Sequence, residues 1–280
     1  MSSIGPLKFR AAKPGRAVKP GTTLRILGVG DSITVGFLSD LEGGDGNGYR
    51  FSLRQNLSKD DVVFSGTESV RGTIPDNFFA AWNGMTIKFI SDHARPSLDQ
   101  RPNIVLVHAG TNDMNPNLDI AREGNDPKAA AERLGKLIDQ IIDCCSDAVI
   151  LVAMIINTLD DGQQENTVPY QGYIPGIVTS RQVMGKRVIA VDFTTFPTQL
   201  LRDGIHPTNE GYRHFGDYWY DFITQIPSDW IQPPAGDDLG NVGSSMGESS
   251  STEDVSWLRR VVRAVFGKGM PEGRDLKSRD

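Results

Sequence analysis

Short apolar runs and longer segments of helical periodicity alternate along the chain. The short runs predict five β-strands, at residues 24–29, 62–64, 104–108, 149–156 and 187–191. The longer segments predict helices at residues 49–58, 86–94, 127–145, 170–184 and 209–224. Strands that alternate with helices are joined by right-handed βαβ crossovers. The pattern therefore predicts an α/β fold in which helices cover both faces of a parallel sheet.

Residues with catalytic chemistry follow three of the predicted strands. The first strand ends at Gly30-Asp31-Ser32, Asn112 follows the third, and His206 lies in the connection after the fifth. Because the carboxyl ends of parallel strands meet at one edge of a sheet, we expect these residues to lie together there. Taken singly, each motif also fits a turn or a helix N-cap. Ser32 is the candidate nucleophile, and Asp31 is expected to fix its turn through backbone hydrogen bonds.

Four short motifs occur in a fixed order: Gly30-Asp31-Ser32-Ile33, Asn83-Gly84-Met85, Gly110-Thr111-Asn112-Asp113 and Asp203-Gly204-Ile205-His206-Pro207. Together they resemble the signature blocks of the SGNH (GDSL-type) hydrolases, a family of serine esterases. Asn47-Gly48-Tyr49-Arg50 and residues 105–114 are further similar to its acetylxylan esterase-like branch, carbohydrate esterase family 3. The resemblance spans residues 22–226 and implies a three-layer flavodoxin-like fold, with a central five-stranded parallel sheet in the order 2-1-3-4-5.

The resemblance also implies a role in acyl transfer for each candidate residue. Ser32 would attack the ester carbonyl, His206 would accept the serine proton as general base, and Asp203 would orient His206. The expected oxyanion hole consists of the backbone N–H groups of Ser32 and Gly84 and the side-chain amide of Asn112. The protein is therefore expected to be a carboxylic ester hydrolase with a catalytic triad.

The expected reaction is hydrolysis of a small neutral ester through an acyl-enzyme intermediate. The ester is expected to carry an acetyl or short acyl group, and a sugar is one candidate for its alcohol. Two alternatives remain open: an SGNH hydrolase of the lysophospholipase or thioesterase type, and an inactive binding module of the same fold. A nucleotide-binding protein is disfavoured, because Ile33 stands where a dinucleotide fingerprint has its third glycine. The four histidines lack the spacing of a zinc site, so no catalytic metal or cofactor is expected.

Charge is distributed unevenly along the 280 residues. The formal total is −6, the first 25 residues carry +6 and residues 231–280 carry −1, which leaves −11 on residues 26–230. A body this acidic repels polyanions, which disfavours nucleic acid as a partner and favours a neutral substrate. The first residues lack the apolar segment of a secretory signal, so we expect an intracellular, cytoplasmic protein.

Composition divides the chain into four predicted segments. Residues 1–21 are expected to form a basic, flexible arm, residues 22–230 the hydrolase domain, and residues 231–254 a flexible linker rich in Gly, Ser and acidic residues. Residues 255–280 are predicted to contain a basic amphipathic helix, at 255–266, and a tail. This helix has two candidate partners, an anionic membrane surface and the acidic body of the same chain.

Overall fold

A computed structural model describes residues 3–236, and the predicted amphipathic helix and most of the predicted linker lie outside these residues. The strands are β1 Thr23–Gly30, β2 Asp61–Ser65, β3 Glu68–Ser69, β4 Phe78–Ala81, β5 Ile104–His108, β6 Val149–Met154 and β7 Val188–Asp192. The α-helices are α1 Ser32–Val35, α2 Arg50–Asn56, α3 Ile87–His93, α4 Arg95–Leu98, α5 Pro127–Cys144, α6 Asp161–Val183 and α7 Asn209–Thr224. Two 3₁₀ turns occur at Leu41–Gly43 and Thr198–Leu200.

Strand β1 lies inside the sheet and pairs along both of its edges. One edge is occupied by β5, which is followed by β6 and β7; the other is shared by β2 and, further along, by β4. Every pairing is parallel except that of β3 with β4. The five predicted strands correspond to β2-β1-β5-β6-β7, which is the expected flavodoxin-like order. The predicted α/β fold is therefore confirmed, and the short strands β3 and β4 extend it.

Helices cover both faces of the sheet, as the apolar pattern predicts. On one face, α2 and α7 pack against Leu24 and Ile26 of β1, in a core that is rich in aromatic side chains such as Trp219. On the other face, α3, α5 and α6 pack against Leu27 and Val29. Because side chains alternate along a strand, β1 supplies both cores and is buried on both sides. This burial holds the carboxyl end of β1 in a fixed position.

Helix α6 differs from its prediction, because it begins nine residues before the expected start at residue 170. The Asp160 side chain caps it by accepting a hydrogen bond from the Gln163 backbone N–H at 2.8 Å. Residues 161–169 are mostly polar and end at Pro169, so the part of α6 that the prediction missed shows no helical pattern of apolar side chains. No helix between residues 3 and 236 is long and apolar enough to cross a membrane.

The N-terminal residues also differ from the prediction of a flexible arm. Leu7 pairs in parallel with Val191 at the edge of β7, and its N–H donates to the Ala190 carbonyl at 2.9 Å. The buried Asp221 carboxylate accepts the backbone N–H groups of Arg10 and Ala12. The arm is held in place because its apolar residues cover the edge and one core of the sheet.

The C-terminal limit of the hydrolase domain also lies beyond the predicted residue 230. Ile231 is buried in the core beside α7. Asn103 donates a hydrogen bond to the Gln232 carbonyl at 2.8 Å, and Arg25 donates one to the Ala235 carbonyl at 2.9 Å. Residues 231–235, predicted as the start of the linker, therefore pack against the domain.

Candidate active site

The turn between β1 and α1 presents Ser32 at the carboxyl end of the sheet. Asp31 is the N-cap of α1 and accepts the Ile33 backbone N–H at 3.1 Å, so Ser32 is the first helical residue. Gly30 leaves no room for a side chain, because a Cβ there would lie 2.2 Å from the His108 carbonyl oxygen of β5. The sequence Gly-Asp-Ser thus lets β1 and β5 approach closely and then starts the helix that carries the serine.

A continuous row of two hydrogen bonds joins Ser32, His206 and Asp203. Ser32 Oγ lies 2.8 Å from His206 Nε2, and His206 Nδ1 lies 2.7 Å from Asp203 Oδ2. Burial alone would raise the pKa of the Asp203 carboxyl, but hydrogen bonds and the charge of His206 outweigh burial and lower this pKa. An ionised carboxylate only accepts hydrogen bonds, so in the neutral form of the imidazole Nδ1 carries the ring proton and Nε2 accepts the Ser32 hydroxyl.

The turn that carries Asp203 and His206 is fixed by its backbone. The Arg202 N–H donates to the His206 carbonyl at 2.7 Å. Gly204 has a φ of +85°, which favours glycine, and its carbonyl accepts the Leu159 N–H at 2.8 Å. The loop after β6 therefore anchors the turn that holds the carboxylate and the imidazole side by side.

The two other predicted oxyanion-hole residues lie in loops that contact each other. Gly84 has a φ of +71°, and the Asn112 side-chain amide donates to the carbonyl of the following residue, Met85, at 3.0 Å. The Trp82 N–H in turn donates to the Gly30 carbonyl at 3.3 Å. The structure thus brings the motif around Gly84 and the motif around Asn112 together, and connects them to the end of β1 that precedes Ser32.

Two buried carboxylates support these loops from within the protein. Burial raises the pKa of Asp31 to about 6, against hydrogen bonds that act to lower it. Asp113 is fully buried; it accepts the Ile87 N–H at 2.9 Å and pairs with Arg133 at 2.9 Å. These contacts connect the motif that contains Asn112 and Asp113 to α3 and α5. The predicted backbone contact of Asp31 is present in the structure.

Arg50 binds the carboxyl end of α1, the helix that begins at Ser32, and sequence reasoning missed this contact. Its buried guanidinium donates hydrogen bonds to the carbonyls of Thr34 and Val35, the latter at 2.9 Å, and to the Asn77 side chain at 2.6 Å. It also lies 4.5 Å from the centre of the Phe79 ring. Desolvation lowers the pKa of Arg50 to about 10. The last carbonyls of α1 are thereby capped by a cation. The resemblance around residues 47–50 was the available signal, but it did not indicate this contact.

The four histidines occupy different surroundings. His206 belongs to the hydrogen-bonded row, His108 is fully buried, and His93 and His214 lie on α3 and α7. Burial lowers the pKa of His108 to about 3, which keeps its ring neutral. Within residues 3–236, no group of three or more His, Cys, Asp or Glu side chains is arranged to hold a metal ion.

Comparison with known proteins points to one family. A model of the GDSL-like lipase/acylhydrolase family matches residues 29–214, well over half of the chain. A multidomain esterase from Ruminococcus flavefaciens is 25% identical over 257 residues. That alignment covers 79% of this chain and 31% of the relative, so the chain spans about a third of that curated protein's length.

Solved structures show the same architecture. A family 3 carbohydrate esterase from Clostridium thermocellum superposes with a TM-score of 0.58 at 27% identity, covering 73% of this chain and 98% of that one. A carbohydrate esterase family 3 structure from Talaromyces cellulolyticus also gives 0.58, at 18% identity, and covers 74% of this chain and 99% of that one. The second likeness is one of fold alone.

Proposed function

This chain belongs to the GDSL-like lipase/acylhydrolase family, and on that premise we propose that it is a serine esterase that forms an acyl-enzyme on Ser32. The observation that carries the proposal is the row Ser32–His206–Asp203, in which hydrogen bonds of 2.8 Å and 2.7 Å join a hydroxyl, an imidazole and a carboxylate. A serine hydroxyl is a weak nucleophile, and the adjacent imidazole supplies the base that it needs.

In the acylation half-reaction, Ser32 Oγ forms a bond to the ester carbonyl carbon while its proton passes to His206 Nε2. The tetrahedral intermediate then collapses: the bond to the alcohol oxygen breaks, and Nε2 donates its proton to that oxygen. In deacylation, a water molecule takes the place of the alcohol: its oxygen forms a bond to the acyl carbon while its proton passes to Nε2. The bond to Ser32 Oγ then breaks, Nε2 returns the proton to Oγ, and the carboxylic acid leaves. Asp203 accepts the Nδ1 hydrogen bond throughout and stabilises the imidazolium that forms in each half.

The developing oxyanion is assigned to the backbone N–H groups of Ser32 and Gly84 and to the Asn112 amide. Support comes from the contact of Asn112 with the Met85 carbonyl, which places the asparagine beside the glycine turn. Donors that are already oriented when charge develops typically contribute about 3–4 kcal/mol each. This assignment predicts that the carbonyl oxygen of the substrate lies between α1 and the loop after β4.

The substrate that we propose is a small neutral ester with an acetyl or short acyl group, and its alcohol is a sugar. The acidic charge of −11 on residues 26–230 favours a neutral substrate over an anionic one. The similarity to a family 3 carbohydrate esterase at 27% identity supports the sugar alcohol. A long acyl chain or a thioester would define a lysophospholipase or a thioesterase instead.

Hydrolysis of a series of esters tests this function. We expect turnover of 4-nitrophenyl acetate and of acetylated xylooligosaccharides, with a decline as the acyl chain lengthens from acetate to octanoate. Ser32→Ala is the matched control, because it removes one oxygen and little packing. Turnover of octanoate or of a lysophospholipid above that of acetate would contradict the proposed substrate, and no turnover of any ester would favour the inactive binding module.

A further inference from the structure

The first turn of helix α6 carries a buried amide side chain, Gln163, which is 2% exposed. Burial of an amide costs free energy unless its hydrogen bonds are made inside the protein. Gln163 Nε2 donates to the Thr111 carbonyl at 3.0 Å, and its Oε1 accepts from the Asn115 side-chain amide at 3.1 Å. Both partners belong to the loop after β5 that contains Asn112. Gln163 therefore binds this loop on both sides of Asn112.

The orientation of the Gln163 amide is fixed by what its partners can offer. The Thr111 carbonyl only accepts hydrogen bonds, so Nε2 must face it. Asn115 Oδ1 accepts the Asn117 backbone N–H at 2.8 Å, which turns the Asn115 Nδ2 toward Gln163. The backbone of Gln163 is itself held by the Asp160 cap. A side chain without a donor and an acceptor cannot replace both contacts.

The bond to the Thr111 carbonyl acts on Asn112 through the backbone. This carbonyl belongs to the planar peptide group that joins Thr111 to Asn112, so the bond fixes the plane from which Asn112 extends. Asn112 Nδ2 carries two hydrogens, and one of them is donated to the Met85 carbonyl at 3.0 Å. The other is the one assigned to the oxyanion. Gln163 and Met85 thus hold the Asn112 amide from its backbone and from its side chain.

The next residue of α6, Gln164, binds a different part of the site. Its Oε1 accepts the Thr158 N–H at 2.8 Å, and Thr158 Oγ1 donates to the Gly204 carbonyl at 3.0 Å. Gly204 lies in the turn that carries His206. Two adjacent glutamines therefore contact the two halves of the site separately, Gln163 on the oxyanion side and Gln164 on the side of the base. Loss of Gln163 should leave the hydrogen bonds of His206 intact.

We propose that Gln163 is a positioning residue that orients the Asn112 amide toward the oxyanion. This inference rests on the proposed esterase function. An oxyanion donor acts when charge develops, and its removal typically lowers kcat by about 10²–10³-fold. A donor that is displaced instead of removed should lose part of this effect. The inference also gives a reason for the polar composition at the start of α6.

A double-mutant cycle tests whether Gln163 acts through Asn112. We compare kcat/KM for 4-nitrophenyl acetate in Gln163→Met, Asn112→Ala and the double variant. Gln163→Met keeps the length of the side chain and should lower kcat/KM about tenfold. In the Asn112→Ala background the same change should cost less than about twofold, because the amide that Gln163 orients is already absent. The midpoint of the pH profile, which His206 determines, should stay that of the wild type.

The matched control is Gln182→Met, at the other end of α6. Gln182 is also buried; its Nε2 donates to the Val188 carbonyl at 2.8 Å and its Oε1 accepts the Ile4 N–H at 3.0 Å. Like Gln163, it thus donates to a backbone carbonyl and accepts one hydrogen bond, but it contacts no loop of the site. We expect Gln182→Met to lower the free energy of unfolding as Gln163→Met does, and to keep the kcat/KM of the wild type.

A milder variant serves if Gln163→Met does not fold. Asn115→Ala leaves Gln163 in the core and removes the partner of its Oε1, so it should lower kcat/KM about threefold, and this loss should disappear in the Asn112→Ala background. Losses of equal size in both backgrounds, an equal loss in Gln182→Met, or a shifted pH midpoint would overturn the inference and leave the esterase function standing. Wild-type protein that hydrolyses no ester would reject the proposed function, and the inference with it.

Discussion

His206 donates two hydrogen bonds to Asp203, one from its ring and one from its backbone. The ring Nδ1 lies 2.7 Å from Oδ2, and the backbone N–H lies 2.7 Å from Oδ1. The backbone bond fixes the turn, and the ring bond fixes the proton on Nδ1. Oδ1 of Asp203 therefore holds the backbone of the turn, and Oδ2 orients the catalytic imidazole. A substitution that keeps the first contact and changes the second can separate these two roles.

Asp203→Asn should separate these two functions. The amide oxygen can still accept the backbone N–H, so we expect a melting temperature close to that of the wild type. The ring loses its anionic partner and its enforced tautomer, so kcat on an aryl acetate should fall by about 10⁴-fold, as in serine protease triads. Thermal melting and turnover are measured on the same preparation. A folded variant with activity within tenfold of the wild type would show that Asp203 does not orient the base.

Arg50→Met should destabilise the protein more than the same change one turn along α2. It leaves the carbonyls of Thr34 and Val35 without their cap in a buried region, and we expect a loss of about 3 kcal/mol in the free energy of unfolding. The control is Arg54→Met, which removes a partly exposed pair with Asp76 and should cost about 1 kcal/mol. Urea unfolding measures both. Equal losses would contradict a special role of Arg50 at the end of α1.

Asp31→Asn should change how stability depends on pH. The pKa of Asp31 is raised from 3.8 to about 6, so between these values the folded protein binds more protons than the unfolded chain. The stability that protonated Asp31 contributes is present below pH 4 and is lost as the pH rises through 6, by about 3 kcal/mol in total. Asparagine does not titrate, so the variant should gain stability relative to wild type over this window.

The test measures the difference in unfolding free energy between wild type and Asp31→Asn at each pH. A difference is needed because titration of His108 changes the stability with pH in the direction opposite to that of Asp31. Its pKa is lowered from 6.5 to about 3, so its contribution to stability is lost as the pH falls through that range. His108 is present in both proteins and cancels from the difference. A difference in unfolding free energy that stays constant from pH 4 to pH 7 would show that Asp31 does not titrate in this range.

The parts of the fold that sequence reasoning predicted are those that local patterns determine. Helix α7 has the predicted bounds, because Thr208 caps it by accepting the Gly211 N–H at 3.0 Å and its apolar residues recur at helical spacing. The convergence of Ser32 and His206 followed from the rule for the carboxyl ends of parallel strands. In both cases the pattern within short segments, a helix in the first case and strands in the second, was sufficient for the prediction.

The parts that were missed depend on contacts between distant residues. Leu7 pairs with Val191, and nothing in the basic composition of the arm indicates that sheet edge. Strand β4 has four residues and exists because it continues the edge of β1 beyond β2. The burial of Arg50 depends on carbonyls of another helix and on the Asn77 side chain. Local propensity contains no information on such pairs.

Truncation tests the revised limit of the domain. We propose that residues 3–236 contain the whole folding unit, and expect a chain that ends at Gly236 to melt and turn over like the full chain. A chain that ends at Trp230 loses buried Ile231 and the carbonyls that Asn103 and Arg25 bind, which should cost about 3 kcal/mol. Urea unfolding of both truncated chains measures this difference in the free energy of unfolding. If the longer truncated chain is folded but inactive, the residues after 236 complete the site.

The most direct test of the proposed esterase mechanism is the detection of a covalent acyl intermediate on Ser32. When protein is mixed with excess 4-nitrophenyl acetate and quenched in acid during turnover, intact mass spectrometry should show the added mass of one acetyl group, and peptide mapping should locate it on Ser32. Ser32→Ala should show neither the adduct nor turnover while keeping its melting temperature. An acetyl group on another side chain in wild-type protein, or a folded Ser32→Ala variant that retains turnover, would contradict the assignment of Ser32 as the nucleophile.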